Sequence, residues 1–264
     1  MDHAGYEHLL IERQGTLLRV SLNAPDQLNA IGPAMEGELL RLFQELRRDR
    51  ITTVVVLTGA GRAFSAGGDL NHGVAIAHDT ALLKEEFDLA RRFINALLEV
   101  EQPIICRLNG DAIGLGATLA LFCDLVVAAD GARIGDPHVR VGLVAGDGGA
   151  VIWPLLVGYA RAKQYLLGGE LIAAPEAQQL GLIQLCVSAD QLDATVDAWA
   201  QRWANGARHA IQWTKATLNL GLKEQAARML DAGLAYEMVS LQSKDHTEAV
   251  NAFREKRKPV FSGH

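Results

Sequence analysis

The eight residues TTVVVLTG at positions 52–59 constrain the fold of this chain more than any other stretch. Their β-branched, apolar character is too continuous to leave one face of a strand in water, so the run predicts a strand buried on both faces. Strands buried in this way occur in parallel sheets whose faces are covered by helices. The run therefore favours an α/β fold.

Strand and helix patterns alternate along the first half of the chain. The segment TLLRVSLN at 16–23 alternates between apolar and polar residues, which predicts a half-buried strand. Similar patterns predict further elements, namely strands over 103–110 and 124–130 and helices over 33–49, over 80–99 and from about 115. Strands that alternate with helices predict right-handed crossovers and a mainly parallel sheet. From about residue 191 onward the pattern is helical throughout.

Composition narrows the class of protein further. Hydrophobic residues make up 49% of the 264 residues and charged residues 21%, which is ordinary for a soluble globular protein. The net charge of −6 argues against broad nucleic-acid binding, which requires an excess of positive charge. The three cysteines lie in apolar segments without zinc-ligand spacing, so we expect buried thiols, a reducing compartment and no metal site. No signal peptide and no apolar run of about 18 residues is recognised, so the predicted location is cytoplasmic.

Two glycine-rich segments follow predicted strands. GRAFSAGGDL (61–70) comes after the buried run, and NGDAIGLG (109–116) comes after the strand at 103–110. Open α/β folds place ligands at the carboxyl ends of parallel strands, and glycine lets the backbone approach a ligand closely. Free N–H groups at the start of the helix near residue 115 would favour negative charge, and two facing donors would form an oxyanion hole.

A third segment, DPHVRVGLVAGDGGAV at 136–151, carries His138 and Asp147 between bare glycines. Histidine with aspartate is the commonest side-chain pair for moving protons near neutral pH. Taken alone, the segment is equally typical of an ordinary turn with a surface histidine and a capping aspartate.

Several segments together resemble the crotonase (enoyl-CoA hydratase/isomerase) superfamily in order and spacing, over essentially the whole chain. They are NAPDQLNAI, AFSAGGDL, NGDAIGLGATLALFCDLVVAAD, GLVAGDGGAVIWPLLVG and EAVNAFREKRKPVF. The resemblance implies an α/β crotonase (ClpP-like) spiral of ββα units over residues 1–195. It also implies a helical C-terminal oligomerisation region over 196–264, which builds a homotrimer or a dimer of trimers.

The resemblance further implies a small-molecule acyl-CoA substrate, with coenzyme A as part of the substrate, no separate cofactor, and no nucleic-acid or membrane partner. The backbone N–H groups of Gly68 and Leu115 would hold the thioester oxygen as an enolate. Leu115 stands where the family usually has glycine, although its N–H is retained. The resemblance assigns coenzyme A or substrate contacts to Ala66, Gly67, Asp69, Leu70, Gly114, Phe253 and Lys256.

The expected acid and base depart from the hydratase pattern. Enoyl-CoA hydratases hold a water between two glutamates, and this chain has Thr118 and His138 at the resembling positions, so the two-glutamate hydration mechanism is not expected. The spacing of His138 and Asp147, together with Glu237 in GLAYEM, resembles the β-diketone hydrolases of the superfamily, which cleave carbon–carbon bonds. In such a site Asp147 would orient the imidazole, and His138 would activate a water or take an α-proton.

Three functions therefore stay open. The first is an enoyl-CoA hydratase/isomerase-family enzyme, a lyase or isomerase of fatty acid metabolism, that uses the His138/Asp147 pair on an acyl-CoA thioester. The second is a hydrolase of β-diketones, although that group carries another active-site histidine where this chain has Leu115. The third is a non-catalytic paralogue that acts as a scaffold or binds RNA. The basic tail FREKRKPVF suits the phosphates of coenzyme A and favours the first function.

Overall fold

The computed structural model describes residues 5–264. Residues 1–4, where the predicted core segment begins, lie outside the described residues. The strands are β1 (Leu9–Gln14), β2 (Leu17–Leu22), β3 (Val54–Gly59), β4 (Ile104–Leu108), β5 (Ala112–Ile113), β6 (Leu125–Ala129), β7 (Arg133–Gly135), β8 (Leu171–Ala173) and β9 (Leu185–Val187). The helices are α1 (Pro33–Leu46), α2 (Leu70–Ile76), α3 (Thr80–Leu98), α4 (Leu115–Leu121), α5 (Gly149–Gly168), α6 (Ala174–Gln179), α7 (Leu192–Ala204), α8 (Arg208–Leu241) and α9 (Lys244–Arg254).

The main sheet is six-stranded, in the order β1-β2-β3-β4-β6-β9. β1 pairs with β2 as an antiparallel hairpin, and every later pair in this sheet is parallel. The mainly parallel sheet predicted from the alternation of elements is thus confirmed, with β1 as an antiparallel edge strand that the sequence did not predict.

The buried run that predicted β3 lies at the centre of this sheet. Val54, Val55, Val56 and Leu57 are each no more than 2% exposed. Val55 and Leu57 pack in the larger core with α1 and α3, whereas Val54 and Val56 pack on the opposite face against α7. Because helices cover both faces, β3 has no water-facing side and needs apolar residues at successive positions.

A second, three-stranded sheet joins β5, β7 and β8. β5 runs parallel to β7, and β7 runs antiparallel to β8. Gly110 precedes β5. It lies so close to the preceding glycine-rich segment that a Cβ there would lie 2.1 Å from the carbonyl oxygen of Arg62. This small sheet therefore holds the segment after β4 against the segment after β3.

The C-terminal part is helical, as predicted. A 3₁₀ turn at Ala189–Gln191 leads into α7, followed by α8 and α9. The predicted boundary between residues 195 and 196 falls within α7, and the division into two regions stays a prediction. Cys106 and Cys123 are buried as expected, but Cys186 is partly exposed because it lies on the edge strand β9. Among residues 5–264, no helix is both long and apolar enough to cross a membrane.

A nearly buried lysine ties the long helix α8 to the main sheet. Nζ of Lys215 donates to Oδ2 of Asp124 at 2.6 Å and to the carbonyl oxygen of Gln102 at 2.9 Å. The same aspartate oxygen accepts from the backbone N–H of Ile104 at the start of β4. One carboxylate thus joins two parallel strands to α8.

Replacing this lysine should destabilise the protein. Lys215→Ala leaves the Asp124 carboxylate and the Gln102 carbonyl without their charged donor, so we expect the free energy of unfolding to fall by about 2–3 kcal/mol. Urea denaturation at one fixed protein concentration measures the loss. The control is Arg228→Ala, which breaks the exposed ion pair with Glu224. It should lower the free energy of unfolding by about 0.5 kcal/mol or less. Equal losses for the two variants would contradict this role of Lys215.

Candidate active site

The two glycine-rich segments predicted to line a site are in contact. The N–H of Ile113 donates to the carbonyl oxygen of Ser65 at 3.0 Å. Gly67 has a φ of +93°, and a Cβ there would lie 2.5 Å from the Ile113 oxygen and 3.6 Å from Cα of Gly114. Only glycine fits this crossing, because its φ is positive and the opposing backbone leaves no room for a side chain.

The N–H groups of Gly68 and Leu115 are left free by this packing. The residues on either side of Gly68 are hydrogen-bonded to Ile31. The N–H of Ile31 donates to the carbonyl oxygen of Gly67 at 2.8 Å, and the N–H of Asp69 donates to the carbonyl oxygen of Ile31 at 3.2 Å. Leu115 is the first residue of α4, so its N–H has no partner within the helix. Within residues 5–264 neither N–H has a backbone acceptor. Both are therefore available to an external oxygen.

A cavity of about 410 Å³ adjoins the same two segments. Ala66 and Ile113 line it, together with Leu28 and Arg62. Gly68 and Leu115 themselves are not part of its lining, which also includes Asp111 and Asp130. The cavity therefore adjoins the donor segments and offers room and mixed charge for a ligand.

The imidazole of His138 lies directly beside the second donor segment. His138 begins a 3₁₀ turn after β7, and a Cβ on Gly114 would lie 3.4 Å from Cε1 of its ring. Nε2 of His138 lies 3.5 Å from Oδ2 of Asp147 and 3.9 Å from Oε1 of Glu237. Two of the predicted catalytic side chains, Asp147 and Glu237, thus converge on one ring nitrogen of the third, His138.

Asp147 is fixed from two sides and keeps one oxygen free. Its Oδ1 accepts from Oγ1 of Thr118 on α4 at 3.0 Å and from the N–H of Gly149 at 3.4 Å. Its Oδ2 is buried without a hydrogen bond and faces His138. The loop that carries Asp147 presses against α8, because a Cβ on Gly146 would lie 2.2 Å from the carbonyl oxygen of Gly233. That contact brings Asp147 and Glu237 close to the same ring nitrogen of His138.

Asp136, which was not among the predicted site residues, also belongs to the cluster. The Nδ1–H of His138 donates to Oδ1 of Asp136, which is 2% exposed. Asp136 thus holds Nδ1, while Asp147, which was expected to orient the imidazole, faces Nε2. An aspartate two residues before a histidine across a proline is the signal that could have identified it, because the turn brings the two side chains together.

Burial and crowding of acids shift the pKa values in this cluster. Burial lowers the pKa of His138, but the charges of Asp136, Asp147 and Glu237 outweigh it and hold that pKa well above its usual value. Burial, followed by the charge of Asp147, raises the pKa of Glu237 to about 8. Burial also raises the pKa of Asp147, although the charge of His138 opposes the change. Near pH 7 the cluster therefore holds one proton on Glu237 and a second on the His138 imidazole.

The remaining predicted site residues lie around α2 and the end of α9. Asp69 caps α2 by accepting from the N–H of Asn71 at 2.9 Å, and Leu70 is the first residue of that helix. Phe253 is 72% exposed near the end of α9, and Lys256 follows it with a φ of +55°. Arg254 donates to the Asn71 side chain at 2.7 Å, so the end of α9 lies beside the start of α2.

Donor atoms of Asp136, His138 and Asp147 lie within 4.8 Å of one another, a spacing that could hold a metal ion. However, Asp136 and His138 are bonded to each other, and the pKa of the imidazole is raised, so a metal would have to displace a firmly held proton. The arrangement favours proton transfer over metal binding.

The role of Asp136 can be measured directly. Asp136→Asn removes the charge that most strongly favours the imidazolium, so the pKa of His138 should fall by about one unit or more. Nuclear magnetic resonance titration of the ring measures this pKa, with His138→Gln to assign the signal. The control Asp193→Asn removes a carboxylate that is 69% exposed and pairs with Arg107. The pKa of His138 should not change in this variant. An unchanged value in Asp136→Asn would contradict the assigned contact.

Comparisons with known proteins agree on one family. The sequence model of the enoyl-CoA hydratase/isomerase family matches residues 12–264. The chain is 32% identical to 1,2-epoxyphenylacetyl-CoA isomerase of Escherichia coli (strain K12), over 97% of this chain and 99% of that protein. It is 34% identical to 2,3-dehydroadipyl-CoA hydratase of the same organism, over 97% of this chain and 98% of that protein.

Solved structures give the same result. The crystal structure of an enoyl-CoA hydratase/isomerase from Mycobacterium paratuberculosis superposes with a TM-score of 0.88 at 35% sequence identity, covering 92% of this chain and 97% of that chain. The expected crotonase fold is confirmed. The chain belongs to the enoyl-CoA hydratase/isomerase family and is an enzyme of that family.

Proposed function

We propose that this enzyme acts on an acyl-CoA thioester, holds its oxygen as an enolate with the N–H groups of Gly68 and Leu115, and moves a proton with Asp147, His138 and Glu237. One observation carries the proposal. Nε2 of His138 is approached by Asp147 at 3.5 Å and by Glu237 at 3.9 Å, and the same ring packs on Gly114, next to a free backbone donor.

The backbone donors suit enolate chemistry. Removal of an α-proton from a thioester builds negative charge on the thioester oxygen, and a preorganised donor aimed at such an oxygen contributes about 10²–10³ in rate. Donation by backbone N–H groups does not depend on the side chain. Leucine at position 115 therefore retains the donor that glycine would supply.

The protonation states assign the roles of the side chains. Because His138 holds its proton against three acids, the expected base is Asp147, whose raised pKa makes it a stronger base than an ordinary carboxylate. Glu237, with a pKa of about 8, supplies a proton donor that approaches the same ring nitrogen as Asp147. His138 keeps both carboxyl groups in place and stabilises the charge that develops between them.

This arrangement favours an isomerase-like reaction over hydration through two glutamates. Thr118 and His138 stand at the positions that resemble the two hydratase glutamates. Thr118 already donates to Asp147, and His138 already bonds Asp136. A base and an acid on one substrate face are sufficient to move a proton between two carbons of an enolate.

Coenzyme A would occupy the 410 Å³ cavity beside Ala66 and Arg62 and extend toward the end of α9. The names of both Escherichia coli relatives specify CoA thioesters, which supports this substrate class. Phe253, Lys256 and the other basic residues of the tail supply an apolar contact and positive charge for the nucleotide end.

We further propose a homotrimer or a dimer of trimers. The long helix α8 exposes large apolar side chains, including Leu218 (72%), Leu220 (64%), Tyr236 (67%) and Val239 (64%). Apolar surface of this extent on one helix is typical of an interface between subunits.

Hydrolysis of β-diketones remains the second candidate. The approach of both Asp147 and Glu237 to His138 Nε2 favours it, because water attack on a carbonyl carbon needs a base and an acid close together. A non-catalytic or RNA-binding role is the third candidate, and the net charge of −6 opposes it.

Isothermal titration with acetyl-CoA and a short enoyl-CoA tests the proposal. Wild type should bind with a Kd on the order of micromolar, and His138→Ala and Asp147→Asn should bind similarly but lose turnover by about 10²-fold or more. The exposed His78→Ala serves as the matched control and should keep both binding and turnover.

The possible results separate the candidate functions. Absence of binding by any CoA thioester would overturn the proposal and direct assays to cyclic and linear β-diketones. Full turnover in both His138→Ala and Asp147→Asn would refute the assigned proton transfer.

The pH profile tests Glu237 as the proton donor. A donor acts only while protonated, so a pKa of about 8 in the ligand-free enzyme predicts that kcat/KM is maintained below this pH and falls as the pH rises through it. Glu237→Gln should have lower kcat/KM without the loss near pH 8, whereas the exposed control Glu224→Gln should retain the wild-type profile. A Glu237→Gln profile that still falls near pH 8 would exclude this role.

A further inference from the structure

A second buried acid, Glu36, lies near the site and has no part in the proton transfer described above. Glu36 is 2% exposed on the apolar face of α1, beside Met35, Leu39 and Leu40. Its Oε1 is buried without a hydrogen bond. Buried polar atoms nearly always have partners, so this unpartnered oxygen requires an explanation, and a ligand that completes the bond is one.

The position of Glu36 connects it to the first oxyanion donor. Ile31, just before α1, pairs with Gly68 through a parallel bridge. Gly32 follows, and a Cβ there would lie 3.9 Å from Cβ of Asp69. The N–H of Glu36 donates to the carbonyl oxygen of Gly32 at 3.0 Å. Glu36 is therefore one helical turn, about 5 Å along α1, from Gly32, and Gly32 directly follows the residue that pairs with the Gly68 segment.

The charges of the proton-transfer cluster also act on Glu36. Burial raises the pKa of Glu36 well above its usual value, and the charges of Glu86, Asp147 and Glu237 raise it further. Glu86 is itself bonded to Nε2 of His72 at 3.0 Å. Glu36 has no ion-pair partner among residues 5–264, and a buried carboxyl group without one favours its neutral form, which has an O–H to donate.

We propose that Glu36 is a specificity residue whose carboxyl O–H donates to a carbonyl or hydroxyl oxygen on C3 or C4 of the acyl group. The inference rests on the proposed action on acyl-CoA thioesters and narrows their class to oxygen-bearing acyl groups. Glu36 lies one helical turn after the residues that pair with the Gly68 segment, which would hold the thioester oxygen, and near enough to Asp147 and Glu237, which would act on the adjacent carbons, for their charges to act on it. A plain alkyl chain would leave the acid unpartnered, and an oxygenated chain of equal length would satisfy it.

The test compares two matched pairs of ligands by isothermal titration. They are acetoacetyl-CoA with butyryl-CoA, and 4-oxopentanoyl-CoA with pentanoyl-CoA. For at least one pair, wild type should bind the oxygenated member about tenfold more tightly. Glu36→Leu should abolish this preference by weakening only the oxygenated ligand, because leucine keeps the volume and loses the donor.

Glu36→Gln should restore the preference for oxygenated ligands. Glutamine keeps a donor at the same place, so the preference should return to within about threefold of wild type, a result that a merely structural role would not give. Glu85→Leu, on the exposed side of α3, is the control and should bind all four ligands like wild type. A melting temperature for each variant confirms folding.

The outcomes distinguish the two proposals. If wild type binds none of the four CoA thioesters, the acyl-CoA function fails and this inference fails with it. If wild type binds all four but shows no preference, or if Glu36→Leu retains the preference, the acyl-CoA function stands and the role of Glu36 is overturned.

Discussion

The structure of the site depends on one electrostatic constraint, the placement of several carboxyl groups around a single buried imidazole. Nδ1 of His138 is bonded to Asp136, and Nε2 faces Asp147 and Glu237. Like charges this close cannot all be ionised in a low-dielectric interior, so the cluster must retain protons. The imidazolium balances one carboxylate, and the raised pKa of Glu237 removes the charge of another. The cluster around His138 thus retains protons beside the position where the proposed enolate would form.

Close backbone crossings make this concentration of charge possible. Gly146 meets Gly233 of α8, Gly67 meets Ile113, and Gly114 meets the His138 ring, each at a distance that leaves little or no room for a Cβ. Larger residues would separate α8 from the loop, and the two donor segments from each other. These glycines therefore mark the crossing points of segments far apart in the chain. Local flexibility alone does not explain their positions.

The sequence predicted the elements whose patterns are local. The period-two alternation of β2, the continuous apolar run of β3 and the helical spacing of α1 each reflect the surface against which the element packs. The strands β5, β7 and β8 have only two or three residues, too few to display a period, and were not predicted. Asp136 was missed because its partner is reached through a turn, and Glu36 because one polar residue does not disturb an apolar helical face. His138 and Asp147 were first singled out in the glycine-rich segment at 136–151, but Glu237 was found only from the resemblance to a family, since no local pattern links it to residues so distant in sequence.

The charge state of the site bears on which reaction it can support. An enolate adds negative charge beside Asp136 and Asp147, so the groups that face it must be neutral or donate hydrogen bonds. The N–H groups of Gly68 and Leu115 meet that requirement, as does the protonated acid of Glu237. Transfer of a proton to Asp147, whether from a substrate carbon or from a water, leaves the total charge of the site unchanged. The position of the new negative charge then matters. An enolate carries that charge on the thioester oxygen, where the proposed donors Gly68 and Leu115 would face it, so proton movement within a bound thioester is the reaction that these groups would stabilise directly.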